Sequence, residues 1–195
     1  MRFSFEHEGF GNNEYNSLAE KTSAYISRLS AIAGSGEYIE PESSICLPSD
    51  SAIVDGVSVI LGEKMKNPLK CVAVVGIGGS NLGTKAIYDA ILGYKDSSRD
   101  DIRPKMVFFD TVDGETAKAN IDFIFKTVRE AEELLVVIVS KSGTTVEAIA
   151  QAEHLLAELS SKFSAVEERV VVITDEESPL FAAAARCARR SSAFM

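Results

Sequence analysis

CVAVVGIGGSNLG, residues 71–83, is the stretch whose reading decides the fold. An apolar run, CVAVVGI over 71–77, passes directly into a glycine-rich turn and then into helix-forming sequence. The run is nearly continuous rather than alternating. A strand covered on both faces reads this way, and such strands belong to parallel sheets between helix layers. Three more runs of the same kind follow: MVFFD (106–110), LLVVIVS (134–140) and VVVIT (170–174). Helical patterns fill the gaps at about 80–93, 115–130 and 144–161, and a last one spans 178–190. The order βαβαβαβα predicts an α/β fold, a doubly wound parallel sheet flanked by helices.

Upstream the pattern differs, so residues 1–68 read as an N-terminal helical extension and 69–195 as the sheet-bearing domain. Asn16 is placed to cap a helix over 17–33 that carries Leu18, Tyr25, Leu29 and Ile32 near helical spacing, with Gly34 and Gly36 ending it. EYIEPESSICLPSD (37–50) reads as loop, with a cap at Ser49 or Asp50. A second amphipathic helix then carries Ile53, Val57, Ile60, Leu61 and Met65 until Asn67-Pro68 stops it.

Composition narrows the functional classes. The chain has 195 residues, with 20 Lys+Arg against 29 Asp+Glu and a net charge of −9. That balance argues against a nucleic-acid backbone or an anionic membrane as the main partner, since no excess cation replaces their counterions. A hydrophobic share of 46% with 25% charged residues is ordinary globular composition. Cys46, Cys71 and Cys187 are scattered and form no C-x-x-C, and the two histidines are His7 and His154, so no metal site is expected. The N-terminus MRFSFEHEGFGNNEY lacks the apolar core of a signal peptide. No apolar run approaches the roughly 20 residues of a membrane span. A soluble cytoplasmic protein is expected.

In doubly wound sheets ligands bind beyond the carboxyl ends of the strands, so the turns after 76, 110, 140 and 174 are the ones to inspect. In the first, Gly76-Ile77-Gly78-Gly79-Ser80 leads into a helix whose free amides sit at the positive end of its dipole. G-x-G-x-x-G would need glycine where Asn81 stands, and the Walker pattern from Gly78 ends Thr84-Lys85, the reverse of what it requires. A tight strand-to-helix turn without a ligand would look similar. The second turn is richer: Ser140, Lys141, Ser142, Thr144 and Thr145 put four hydroxyls and an ammonium within six residues at a helix start. Hydroxyl and amide donors, a cation and the dipole are what a phosphate needs. Thr144 and Glu147 also fit a capping box. One hydroxyl would satisfy a cap, so five polar residues favour an anion site. Asp110 to Asp113 end the second strand and border the same cleft. Ser178 reads as a helix cap with Pro179 at the first position. Arg186, Arg189 and Arg190 suit a helix C-terminus.

Taken together, GIGGSNLG and SKSGTTVE, about sixty residues apart, resemble the glucose-6-phosphate isomerase family, in its N-terminal sugar-isomerase (SIS) domain. Looser matches run through Val112-Asp113 and Thr174-Asp175 to Ser178-Pro179-Leu180, and the resemblance covers roughly residues 40–180. Thr84 replaces a usual proline. The resemblance implies an SIS-type, flavodoxin-like sheet and aldose–ketose isomerisation of glucose 6-phosphate and fructose 6-phosphate. It puts Gly79 and Ser80 on positions that touch the sugar. It puts Ser140, Lys141, Ser142 and Thr145 on positions that hold the phosphate. No cofactor is implied; the ligand is a hexose 6-phosphate or a phosphate ion.

The family's proton-transferring Glu, its ring-opening His and a Gly-Gly-Arg segment fall in a later part, so no catalytic residue is expected in this chain. Glu147 is expected at the helix cap rather than in that role. The same comparison leads us to expect a chain incomplete at its C-terminus, inactive in isolation, whose last strand lacks a neighbour. A homodimer or other self-association is expected from that open edge. A stand-alone phosphosugar-binding SIS module is the alternative. A nucleotide-binding oxidoreductase is disfavoured by Asn81 and by the hydroxyl-rich second loop.

Overall fold

The computed structural model describes residues 12–65, 67–93 and 104–188. His7, Arg189 and Arg190 lie outside them. The chain forms two compact units, Met1–Leu61 and Gly62–Met195. In the first, helix α1 spans Asn12–Ser35, so Asn16 lies inside it rather than capping it. Gly36 ends it with φ +69°. The stretch read as loop contains a 3-10 helix, Ser43–Ser49. Buried Cys46 there donates to the Ile32 carbonyl of α1 at 3.3 Å, and Arg28 pairs with Glu40 and Glu42. Asp50 caps the next helix, α2 (Ser51–Lys64), through the Ala52 and Ile53 amides. No residue of α2 is buried, so its apolar side chains lack the cover that the amphipathic reading implied. No single described helix is long and apolar enough to cross a membrane; the one pair that passes together is bent by 62°.

The second unit carries four parallel strands: β1 (Cys71–Val75), β2 (Lys105–Phe109), β3 (Leu134–Val139) and β4 (Val170–Ile173). Four helices follow them in turn: α3 (Gly79–Leu92), α4 (Gly114–Thr127), α5 (Val146–Lys162) and α6 (Pro179–Ala188). The strand order is β2-β1-β3-β4. The fold is therefore the expected α/β architecture, a parallel sheet flanked by helices, with N-terminal helices before it.

One sheet face is a dry core. Cys71, Ala73 and Val75, Val107 and Phe109, and Leu134, Val136 and Ile138 cluster with Ile121 and Ile124 of α4 and with Ala152, Leu155 and Leu159 of α5. Fully burying a side chain such as Leu155 or Leu159 stabilises by about 1.5–3 kcal/mol. The other face is covered at Val74 and Leu135, which are buried, and thinner around them: Val72, Met106, Phe108, Val137, Val139 and Val171 are half-buried, and Ile173 is 54% exposed. The expectation of cover on both faces thus holds for the central strands and fails at the end of β4, where Ile173 is exposed. Arg169 ties the amino ends of the strands, donating to the carbonyls of Leu134, Lys64 and Glu132. Burial pushes its guanidinium pKa below the usual value.

The topology sets the site. From β1 the chain crosses to β2 on one side, and from β3 to β4 on the other. The β1/β3 boundary is thus the topological switch point, where doubly wound sheets leave a crevice beyond the strand ends.

Candidate functional site

Two loops meet at that boundary. Val75 and Ile138 are register partners, so the turns after β1 and β3 emerge side by side. Gly76 shows how closely. A Cβ there would lie 3.0 Å from Ser80 Cβ and 3.2 Å from the Val139 carbonyl oxygen. Only glycine lets the first turn pass so near the end of β3. Gly78 adopts φ +56° and its carbonyl accepts from the Asn81 and Leu82 amides, starting α3. Gly79 and Ser80 open the helix, Gly79 exposed and Ser80 half-buried, and a Cβ on Gly79 would meet nothing within 4 Å. The space above Gly79 is open.

Asn81 was legible only as the residue that breaks a dinucleotide motif. It is 1% exposed, and its side-chain nitrogen donates to the Gly76 carbonyl at 2.6 Å. It holds the glycine turn shut from beneath. Among the described residues its Oδ1 has no hydrogen-bond partner, nor does either polar side-chain atom of buried Gln151 on α5.

The second loop carries the expected donors in a different arrangement. Ser140 is buried; its amide donates to the Ile173 carbonyl at 3.1 Å and its hydroxyl to Thr145 Oγ1 at 3.3 Å. Gly143 takes φ +63°, and its amide returns to the Ser140 carbonyl at 3.2 Å. Lys141 and Ser142 are exposed and Thr145 is half-buried. Lys141 forms no ion pair with a described residue.

Two expectations about the helix start are corrected. α5 begins at Val146, with Thr145 as N-cap and no side-chain cap bond. Thr144 lies a residue further out, where its hydroxyl pairs with Ser142 Oγ at 2.9 Å. Glu147 is exposed in the first turn and makes no hydrogen bond to a described residue, so the capping box is absent. The physical reason is the loop closure at Gly143, which sets the helix start past Thr144 and spends that hydroxyl within the loop. The result bears on binding: the Val146, Glu147 and Ala148 amides are left without a cap, at the positive end of a 17-residue helix.

The third turn, after β2, sits beside the first. Asp113 caps α4, accepting from the Thr116 amide at 2.8 Å, and hydrogen bonding to the Thr116 side chain, with the amide bond next, holds its carboxyl below the usual carboxylate range. Asp110 is half-buried and lines a cavity of about 390 Å³ with Lys85, Tyr88, Lys105, Phe108 and Asn120. That cavity lies along the β2 edge and not at the switch point. In the 140–145 loop Lys141, Ser142 and Thr144 are exposed, Thr145 is half-buried, and Ser140 and Gly143 are buried. His154 is exposed on α5. Ser178 caps α6 as expected, accepting from the Phe181 amide at 2.9 Å with Pro179 at the first helical position. Among the described residues no cluster of His, Cys, Asp or Glu could hold a metal ion.

Comparison with known proteins agrees with this architecture. The sequence profile of phosphoglucose isomerase matches residues 58–179, more than half of the chain. A glucose-6-phosphate isomerase of Chlamydia trachomatis serovar L2 is 35% identical over 106 residues, which is 54% of this chain and 18% of that protein. A probable glucose-6-phosphate isomerase of Methanococcus maripaludis is 37% identical over 117 residues, 58% of this chain and 24% of that protein. The chain thus spans about a fifth of the curated relatives it matches. A crystal structure of a glucose-6-phosphate isomerase from Chlamydia trachomatis D/UW-3/Cx superposes with a TM-score of 0.54 at 26% identity, covering 74% of this chain and 26% of that one. A hypothetical protein from Thermus thermophilus gives a TM-score of 0.59 at 26% identity, covering 87% of this chain and 39% of that one.

Proposed function

The chain belongs to the phosphoglucose isomerase family, and from that premise we propose that it holds the phosphosugar-binding part of a glucose-6-phosphate isomerase. The ligand is a hexose 6-phosphate, with inorganic phosphate as its minimal form. Ser140, Lys141, Ser142 and Thr145 take the phosphate, and Gly79 and Ser80 face the sugar. The observation that carries this is the placement of both loops at the β1/β3 switch point, one with open space over Gly79 and the other with the uncapped start of α5.

Each part has a physical task. The free amides of α5 and the hydroxyls of Ser142 and Thr145 donate to phosphate oxygens. The Lys141 ammonium balances charge. Ser140 orients Thr145 by donating to its oxygen, which leaves the Thr145 proton free to point outward. Binding energy from this remote phosphate helps position the reacting end of the sugar. Moving a proton between C1 and C2 through an enediol further requires a base of tuned pKa and an acid at the ring oxygen. On this reading the rest of the family fold supplies them, and the chain works in the cytoplasm. A stand-alone phosphosugar-binding module would share the same site.

The test combines binding and turnover on purified chain. Fructose 6-phosphate and phosphate should bind in competition, and NAD should not bind. Turnover in a coupled assay should fall orders of magnitude below that of a full-length family member, since general acid–base groups contribute about 10²–10⁴-fold. NAD binding that displaces phosphate would refute the reading, and full turnover would refute the division of labour.

A further inference from the structure

The second loop is held from behind by the turn that follows β4. The Phe181 amide donates to Ser178 Oγ at 2.9 Å. Ser178 and Thr174 hydroxyls pair at 2.8 Å, and Thr174 Oγ1 donates to the Lys141 carbonyl at 3.4 Å. Since the Thr174 proton goes to that carbonyl, Ser178 is the donor in the pair. The bonds therefore run one way, from the N-cap of α6 to the backbone of Lys141. The Asp175 amide donates to the same carbonyl at 3.1 Å. Independently, Gly143 is seated on the same turn. A Cβ there would lie 2.7 Å from both Cβ and Oγ of Ser178 and 2.9 Å from Leu180 Cβ.

The peptide between Lys141 and Ser142 is a single plane, and in its trans form C=O and N–H point opposite ways. Two donors fix the Lys141 carbonyl toward the turn after β4. The Ser142 N–H is thereby aimed away from that turn, and it meets no acceptor among the described residues. We propose that Thr174 and Ser178 are positioning residues for the anion cradle: their hydroxyl relay holds the Lys141 peptide so that the Ser142 N–H points at the bound phosphate. The inference rests on the reading of residues 140–145 as that cradle.

The test is a titration of the ¹⁵N-labelled full chain with fructose 6-phosphate, following the Ser142 amide, for the parent, Thr174→Val and Thr174→Ser, with a melt of each. In the parent the Ser142 amide resonance should shift on binding. Thr174→Val removes the hydroxyl at nearly constant shape. It should weaken binding about five- to tenfold, as loss of one well-aimed hydrogen bond does, and shrink the Ser142 shift. Thr174→Ser keeps the hydroxyl and should stay within about twofold of the parent. The two melts should agree, which separates positioning from stability. Equal affinity of Thr174→Val and the parent overturns the inference, and so does an equal loss in both variants. A Ser142 amide that does not move in a parent chain that binds overturns it without need of any variant. A parent chain that does not bind at all overturns the cradle itself.

Discussion

Lys141 and Thr144 stand three residues apart and separate binding from stability. Lys141 is exposed, its side chain is free of ion pairs with described residues, and it lies in the loop that leads into the uncapped start of α5. A hydrogen bond to a charged group contributes about 1.5–3 kcal/mol against roughly 1 for a neutral one. Lys141→Ala should therefore weaken phosphosugar binding more than Ser142→Ala does, with little change in melting temperature for either. Thr144→Ala should cost less than about 0.5 kcal/mol, because among the described residues its hydroxyl caps nothing and bonds only to exposed Ser142. Titrations and melts of the three variants check this; a Thr144→Ala melt lowered as by a lost cap would restore Thr144 to that role.

Elements were legible where one physical cause dominates. β3 and β4 read as unbroken Val/Ile/Leu runs, β1 and β2 as apolar runs that also hold Cys71, Ala73 and Met106, and each was found within two residues of its observed ends. Ser178-Pro179 marked the start of α6 because one hydroxyl and one imide leave little choice. α5 was misplaced because Thr144 and Thr145 both fit a cap, and loop closure at Gly143, not propensity, decided between them. The 3-10 helix at Ser43–Ser49 hid behind Pro48, and Asn81 behind the motif it breaks. Both depend on tertiary neighbours that no local pattern announces. The α4 cap yields a prediction at this scale. The Asp113 carboxyl is held below its usual value by hydrogen bonding to the Thr116 side chain and amide, so the folded state prefers its ionised form. Its contribution is present above the unfolded value of about 3.9 and is lost as pH falls through the lower folded value. The melting temperature of the parent should thus fall more steeply than that of Asp113→Asn as pH drops below about 4. Parallel curves would remove the charge from the cap's role.

For the whole molecule, the order β2-β1-β3-β4 leaves β4 bonded on one side among the described strands, with Ile173 54% exposed beside it. α3 adds Leu82, Ile87 and Ile91, each more than half exposed. An open strand edge recruits other chains, and so, separately, does exposed apolar surface such as that of α3, which packs by β2 at the other side of the sheet. Light scattering on the isolated chain should show a dimer or larger species, with mass rising with concentration; a monodisperse monomer at high concentration would count against it. The central claim is that one sheet boundary, β1/β3, brings both loops to a single phosphosugar. It is tested most directly by a crystal structure of the chain grown with fructose 6-phosphate. The account predicts phosphate density within hydrogen-bond reach of Ser142, Thr145 and the first amides of α5, with Lys141 alongside and the sugar lying toward Gly79 and Ser80. Phosphate found instead in the cavity lined by Lys85, Lys105 and Asp110 would contradict it.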